Sequence, residues 1–113
     1  MKKFLFVFAI CLAMIFQFCT GARKARLAAS KTTYTNQVQP IIAATCSPCH
    51  IPPGGNKKAL NTYTAAKENI DSIIVRINKN PNEKGFMPFK HPKLPDSTIQ
   101  VFVNWKADGL LEN

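Results

Sequence analysis

The chain is poor in the residue types that most metal and catalytic sites use. Among 113 residues it has two histidines, four cysteines and six acidic residues, so such chemistry is confined to a few positions. It shows no internal repeat, and no segment has the strict alternation of apolar and polar residues that indicates a half-buried strand. A chain of this length has room for one domain, which excludes a multidomain architecture.

The N-terminus has the pattern of a secretory signal. Two lysines precede an uncharged run at 4–22 that is dominated by Phe, Leu, Ile, Val and Ala. Small residues at Thr20 and Ala22 suit cleavage after Ala22. We therefore predict a signal peptide at 1–22 and a periplasmic or otherwise exported protein.

Two other interpretations of the same run are open. Its 19 residues nearly reach the ~20 that a helix needs to cross a bilayer, which would make it an uncleaved anchor with the domain facing the periplasm. Lipidation at Cys19 is the second, although bulky residues at 16–18 stand where a bacterial lipobox has small ones.

Cleavage would decide which thiols and charges the mature protein keeps. It would remove Cys11 and Cys19 and leave Cys46 and Cys49 in an oxidising compartment. It would also remove two of the 15 basic residues, which leaves 13 against six acidic residues and a formal charge of +7. This excess favours acidic partners or anionic membrane surfaces, unless it serves solubility alone. We predict no nucleic-acid partner.

The mature chain is predicted to consist of a basic flexible leader at 23–33 and one all-α domain at 34–113. Apolar residues at helical spacing predict a first helix that ends at Cys46, with Pro40 in its first turn. A loop rich in proline and glycine follows at 51–56.

Two further stretches carry helical signals. Isoleucines at i, i+3, i+4 and i+7 give the segment 63–79 one apolar face, which predicts a single helix there. Three prolines make the segment 86–95 a loop. Asp96 or Ser97 can cap a last helix that ends at Gly109.

The predicted first helix leads into Cys46-Ser47-Pro48-Cys49-His50, a Cys-x-x-Cys-His sequence. This is the attachment signature of c-type haem. The two thiols add to the haem vinyl groups, and the adjacent imidazole becomes the proximal ligand of the iron. We therefore predict one covalent haem c bound through Cys46, Cys49 and His50.

Two other uses of the motif are weighed against haem. A disulfide between Cys46 and Cys49 is the first, but a redox-active Cys-x-x-Cys normally follows a strand of a βαβ unit. Structural zinc is the second. It would need both thiols, His50 and the distant His91, and the adjacent Cys49 and His50 make a strained pair for one tetrahedral ion.

Met87 is the predicted distal ligand of the iron. It is the only methionine after the signal, lies 37 residues past His50, and stands in a proline-broken loop rather than on a helical stripe. His91 competes for this position, because neutral imidazole binds iron well, and an open or water-bound iron is the third alternative. A methionine that merely fills a gap in the core is the ordinary interpretation.

Aromatic residues follow in the same half of the chain. They could shield a porphyrin from water, which holds its reduction potential up, or form ordinary core, and both uses are compatible. The four candidates are Phe86, Phe89, Phe102 and Trp105.

Taken in order, these features resemble a small exported monohaem class I cytochrome c domain. The resemblance covers nearly all of the mature chain. It is carried by the Cys-x-x-Cys-His motif, by the Met87-Pro88 pair, and by a last helix that contains Trp105 and closes at Gly109. The Met87-Pro88 pair lies between the motif and the last helix, which is the order found in this family.

The resemblance implies an all-α fold of three to four short helices packed around one haem, with the first and last helices in contact. It implies thioether links at Cys46 and Cys49, with His50 as proximal and Met87 as distal iron ligand. Members of this family also hold the proximal imidazole with the backbone carbonyl of a downstream proline. The prolines at 52–53 are too close to His50 for that role.

The implied function is single-electron transfer between redox partners, without catalytic residues and without enzyme activity. A haem-based sensor or enzyme that binds a gas or peroxide through a labile distal ligand is one alternative. A dedicated electron-transfer subunit of an exported oxidoreductase is another. The predicted protein is a monomer that contacts a membrane only if its N-terminal segment is retained. Its partners are redox proteins whose acidic surfaces would dock onto loop lysines, namely Lys57, Lys58, Lys90 and Lys93.

Overall fold

The computed structural model describes residues 31–113, which form one unit. The predicted signal peptide and most of the predicted leader lie outside the described residues. A π-helical turn at Tyr34–Val38 runs into α1 (Gln39–Thr45), and α2 (Tyr63–Glu68), α3 (Ile70–Asn78) and α4 (Asp96–Ala107) follow. Within 31–113 there is no strand, only an isolated bridge between Thr33 and Leu111. The all-α prediction therefore agrees with the described part of the chain.

The first helical segment forms as the sequence predicts. Pro40 lies in the first turn of α1, where its missing N–H costs no intrahelical hydrogen bond. Val38 and Ile42 are fully buried on the inner face. The helix closes with the Cys46 N–H donating to Ile42 O at 2.9 Å, so the Cys-x-x-Cys-His motif starts where the helix stops.

The single helix predicted at 63–79 is instead two helices, α2 and α3, which meet at Asn69. The Asn69 side chain donates from Nδ2 to Ala65 O at 2.7 Å, and its backbone leaves the helical region at φ −110° and ψ 7°. Asparagine competes with the helix backbone in this way. The isoleucine stripe survives the break, because α3 buries Ile70, Ile73 and Ile77.

The last helix starts differently from the prediction. Neither Asp96 nor Ser97 makes a capping side-chain hydrogen bond, since Pro95 occupies the N-cap position and its carbonyl accepts from Thr98 N and Ile99 N. The predicted end at Gly109 is confirmed. Gly109 has φ +96°, and the paired Leu110 N to Trp105 O and Gly109 N to Lys106 O bonds make a Schellman motif.

An aromatic cluster joins the two ends of the described chain. The rings of Tyr34, Tyr63 and Trp105 lie with centroids 5.7 to 6.3 Å apart. Tyr63 Oη donates to Leu110 O at 2.8 Å, and Trp105 Nε1 donates to Leu111 O at 2.7 Å. The π-helical turn packs on α4 through this cluster. Residues from the end of α1, from α3 and from the middle of α4 line a cavity.

The predicted leader ends in residues that belong to this packing. Thr32 and Thr33 are buried, and the Thr32 N–H donates to Asp108 Oδ2 at 2.7 Å. None of the helices within 31–113 has the length and apolar character that a membrane crossing requires.

Candidate functional site

A cavity of about 570 Å³ brings the predicted site residues together: Cys46, Cys49, His50 and Met87 all line it. Its volume falls within the roughly 300–1,000 Å³ of ordinary small-molecule sites. Most of the remaining wall is apolar, and side chains from the segment after the motif, from α3, from the loop before α4 and from α4 itself contribute to it, namely Leu60, Ile73, Ile77, Leu94 and Phe102. The spacing of the motif and Met87 in the sequence does not by itself require this meeting.

The motif is held as a tight loop against the segment that follows it. The His50 N–H donates to Cys46 O at 3.0 Å, the Lys57 N–H to Cys49 O at 3.1 Å, and the Leu60 N–H to His50 O at 3.0 Å. The chain folds back closely at Gly55, where a Cβ would overlap the carbonyl oxygens of Pro48 and Cys49. Glycine is therefore needed there for a steric reason.

The imidazole of His50 is oriented by a backbone carbonyl. Its Nδ1 lies 2.6 Å from Lys58 O, and because a carbonyl only accepts hydrogen bonds, Nδ1 must carry the proton in the neutral ring. This leaves the Nε2 lone pair available, and such second contacts are typical of metal-binding histidines. The family resemblance leads one to expect a proline carbonyl here. The carbonyl comes from Lys58 instead, and no side-chain pattern could have revealed a main-chain partner.

The two thiols differ in exposure. Cys46 is half-buried, Cys49 is exposed, and both are free thiols. Burial raises the pKa of the Cys46 thiol, and a hydrogen bond with Thr45 Oγ1 lowers it by a smaller amount. Among residues 31–113, no three His, Cys, Asp or Glu side chains converge in a group that could hold a metal ion.

Met87 lines the same cavity as the motif and lies in the loop between α3 and α4. It is half-buried, and its N–H donates to Arg76 O, in α3, at 3.2 Å. The competing His91 also lines the cavity, but it is exposed and lines a neighbouring cavity of about 300 Å³ with Thr45 and Ser47. Both candidate distal ligands therefore border the same space, and Met87 is the less exposed of the two.

The four aromatic candidates separate into two pairs. Phe102 is buried and Phe89 is 66% exposed, and both line the cavity. Phe86 is buried outside the lining, and Trp105 belongs to the cluster with Tyr34 and Tyr63. Shielding of the cavity thus falls to Phe102 and Phe89, while Trp105 is structural.

The cavity wall is electrostatically one-sided. Lys57, Lys58 and Arg76 line it, and no aspartate or glutamate does. Lys90 lies on the same side of the molecule as Phe89, with its Nζ 5.4 Å from the ring centroid. Arg76 lies on the polar side of the helix predicted at 63–79, and that position alone gives no indication that its side chain borders a cavity.

The chain was compared with protein-family models, with curated proteins and with solved structures, and none of the three comparisons found a match.

Proposed function

We propose that this protein is an exported monohaem c-type cytochrome that carries single electrons between redox partners. The observation that carries the proposal is the shared cavity: the Cys-x-x-Cys-His residues and Met87, far apart in sequence, line one largely apolar space. The sequence resembles class I cytochrome c domains in the same residues. The cavity fits a covalently attached haem in its volume, its apolar walls and its donor set of two thiols, an imidazole and a thioether.

Each donor would have a separate role. Cys46 and Cys49 would form the thioether links, and both are free thiols that border the cavity. His50 would supply Nε2 to the iron, because Nδ1 is engaged by Lys58 O. Met87, which lines the same cavity, would supply its sulfur. When bound, the haem supplies a one-electron ferric–ferrous couple, and His/Met ligation raises its reduction potential.

The protein's own contribution is to hold these donors still and keep water away. The Lys58 carbonyl fixes the plane and tautomer of the imidazole. Ile73, Ile77 and Phe102 are buried and line the cavity, and a dry surrounding disfavours the more highly charged oxidised form. If His50 and Met87 both held the iron, a substrate would have to displace one of them, so this donor set would suit electron transfer better than catalysis.

The charge around the cavity suggests how a redox partner is recognised. Lys57 and Lys58 are exposed and line a cavity without carboxylates, and Lys90 and Lys93 are exposed in the loop between α3 and α4. Such a surface speeds the approach of acidic partners at low ionic strength. The lysines would therefore act in association rather than in the electron-transfer step itself.

A potentiometric titration of the protein exported by a host with haem-attachment machinery tests this function. We expect a single reversible one-electron transition and little reaction of the reduced protein with carbon monoxide, because Met87 occupies the distal position. Tight carbon monoxide binding would instead favour the gas- or peroxide-binding alternative. Copurification with one exported oxidoreductase would favour the dedicated-subunit alternative.

A further inference from the structure

The loop that carries Met87, between α3 and α4, is fastened to the last turn of α3. The Met87 N–H donates to Arg76 O at 3.2 Å, and Lys93 Nζ donates to Asn78 O at 3.0 Å. The final carbonyl groups of a helix have no hydrogen-bond donor within the helix, and here the loop supplies donors to two of them. The end of α3 therefore serves as the anchor of the loop.

Arg76 contributes to this anchor twice. Its carbonyl accepts from Met87 N, and its guanidinium reaches back to the same loop, with Nη1 3.5 Å from Gly85 O. The bond is long but charge-assisted, which strengthens it. A second contact, from Nε to Ser72 Oγ at 3.3 Å, steadies the guanidinium along the helix.

No carboxylate competes for this guanidinium. Within residues 31–113, Asp71 pairs with Lys106, and the cavity lining around Arg76 contains no acidic residue. Gly85 has φ +85°, and a Cβ there would lie 3.4 Å from Arg76 Nη1. The loop thus turns with a glycine at the point where the guanidinium meets it.

We propose that Arg76 is a positioning residue for Met87: its side chain and carbonyl together hold the loop 85–87 so that the Met87 sulfur stays at the cavity. The proposal rests on the proposed function, since it concerns the distal ligand. Loss of the guanidinium would raise the fraction of molecules in which the loop has moved and Met87 is away from its position. An added ligand would then compete with Met87 more easily, because its apparent affinity rises with the fraction of open molecules.

The test compares Arg76→Leu with Arg76→Lys and with Lys84→Leu in the exported holoprotein. Lys84→Leu is the matched control, since it removes a cation next to Gly85 in sequence and leaves the Lys84 backbone carbonyl, which accepts from Lys79 Nζ at 3.0 Å, in place. We expect Arg76→Leu to bind imidazole in the ferric state about tenfold more tightly than the unaltered protein, the ratio that corresponds to one lost hydrogen bond. Arg76→Lys should recover part of this difference, and Lys84→Leu should bind as the unaltered protein does.

Amide hydrogen exchange provides the readout that does not depend on the haem. Arg76→Leu should speed exchange of the Met87 amide and leave unchanged that of Leu60, whose amide is bonded to His50 O on the motif side. Unchanged imidazole affinity and unchanged Met87 exchange would overturn the proposal. A changed reduction potential with unchanged Met87 exchange would overturn it as well, because Arg76 would then act only through its charge. A protein without covalent haem would refute the proposed function, while the exchange comparison would still test the anchoring of the loop.

Discussion

The two tyrosines of the aromatic cluster should respond in opposite ways to the same substitution. Tyr34 is 4% exposed, and its Oη is a buried polar atom without a hydrogen-bond partner in the described structure. An unsatisfied buried polar group costs about 1–3 kcal/mol. Tyr34→Phe removes that group and keeps the ring contacts, so we expect the free energy of unfolding to rise by about 1 kcal/mol.

Tyr63→Phe is the matched comparison. Its Oη donates to Leu110 O at 2.8 Å and accepts from Lys67 Nζ at 3.3 Å. Loss of the first bond should lower the free energy of unfolding by about 0.5–1.5 kcal/mol. For a domain of this size, each kcal/mol corresponds to about 4–8 °C in Tm, so thermal and guanidinium denaturation of the holoprotein resolve the two variants.

The pH dependence adds a second check on Tyr34. Burial, followed by the negative charge of Glu112, raises the pKa of Tyr34 above its ordinary 10.0. The neutral phenol is thus favoured in the folded state, and this contribution is present below the unfolded pKa and lost as pH rises above it. The advantage of Tyr34→Phe should therefore widen above pH 10.0. A Tyr34→Phe variant that loses as much stability as Tyr63→Phe would refute the reasoning.

Three further comparisons of variants test the site itself. Gly55→Ala should sharply reduce the yield of covalent haem protein, because the added Cβ would overlap two backbone carbonyl oxygens of the motif. Gly54→Ala should leave the yield unchanged, because its Cβ would lie 3.8 Å from its nearest neighbour. Equal yields from the two variants would contradict this prediction. Met87→Leu should abolish the sulfur-to-iron charge-transfer band of the ferric protein and His91→Gln should preserve it, and the reverse result would make His91 the ligand. Replacement of both lysines at 57–58 by glutamate should slow reduction by the ferrocyanide anion and speed reduction by the hexaammineruthenium cation, and identical rates would exclude electrostatic recognition at this surface.

The sequence predicted the helices well where one residue's own backbone conformation or a regular apolar spacing determines the structure. Pro40 at a helix start and Gly109 at a helix end act through their own backbone conformations, and the isoleucines of α3 are buried as their spacing predicts. The break at Asn69 was missed because it depends on a hydrogen bond from the Asn69 side chain to Ala65 O. The N-cap at Pro95 was missed because Asp96 and Ser97 are also residues that could begin the helix.

The sequence predicted the candidate ligand residues of the site but not the backbone groups that hold them in place. Cys46, Cys49, His50 and Met87 could be named from the motif and the loop, and the structure lines one cavity with them. The Lys58 carbonyl that orients His50 and the Arg76 carbonyl that binds the Met87 amide are main-chain groups, which every residue type carries. Haem attachment and iron ligation by these four residues remain predictions, as does export of the protein.

The most direct test of the account is the intact mass of the protein exported by a host with haem-attachment machinery, together with the absorption spectrum of its ferric form. We predict a chain that begins at Arg23 and carries the mass of one covalent haem, with a weak sulfur-to-iron charge-transfer band that marks Met87 as ligand. A mass equal to that of the polypeptide alone, with Cys46 and Cys49 joined in a disulfide or bound to zinc, would contradict the central claim.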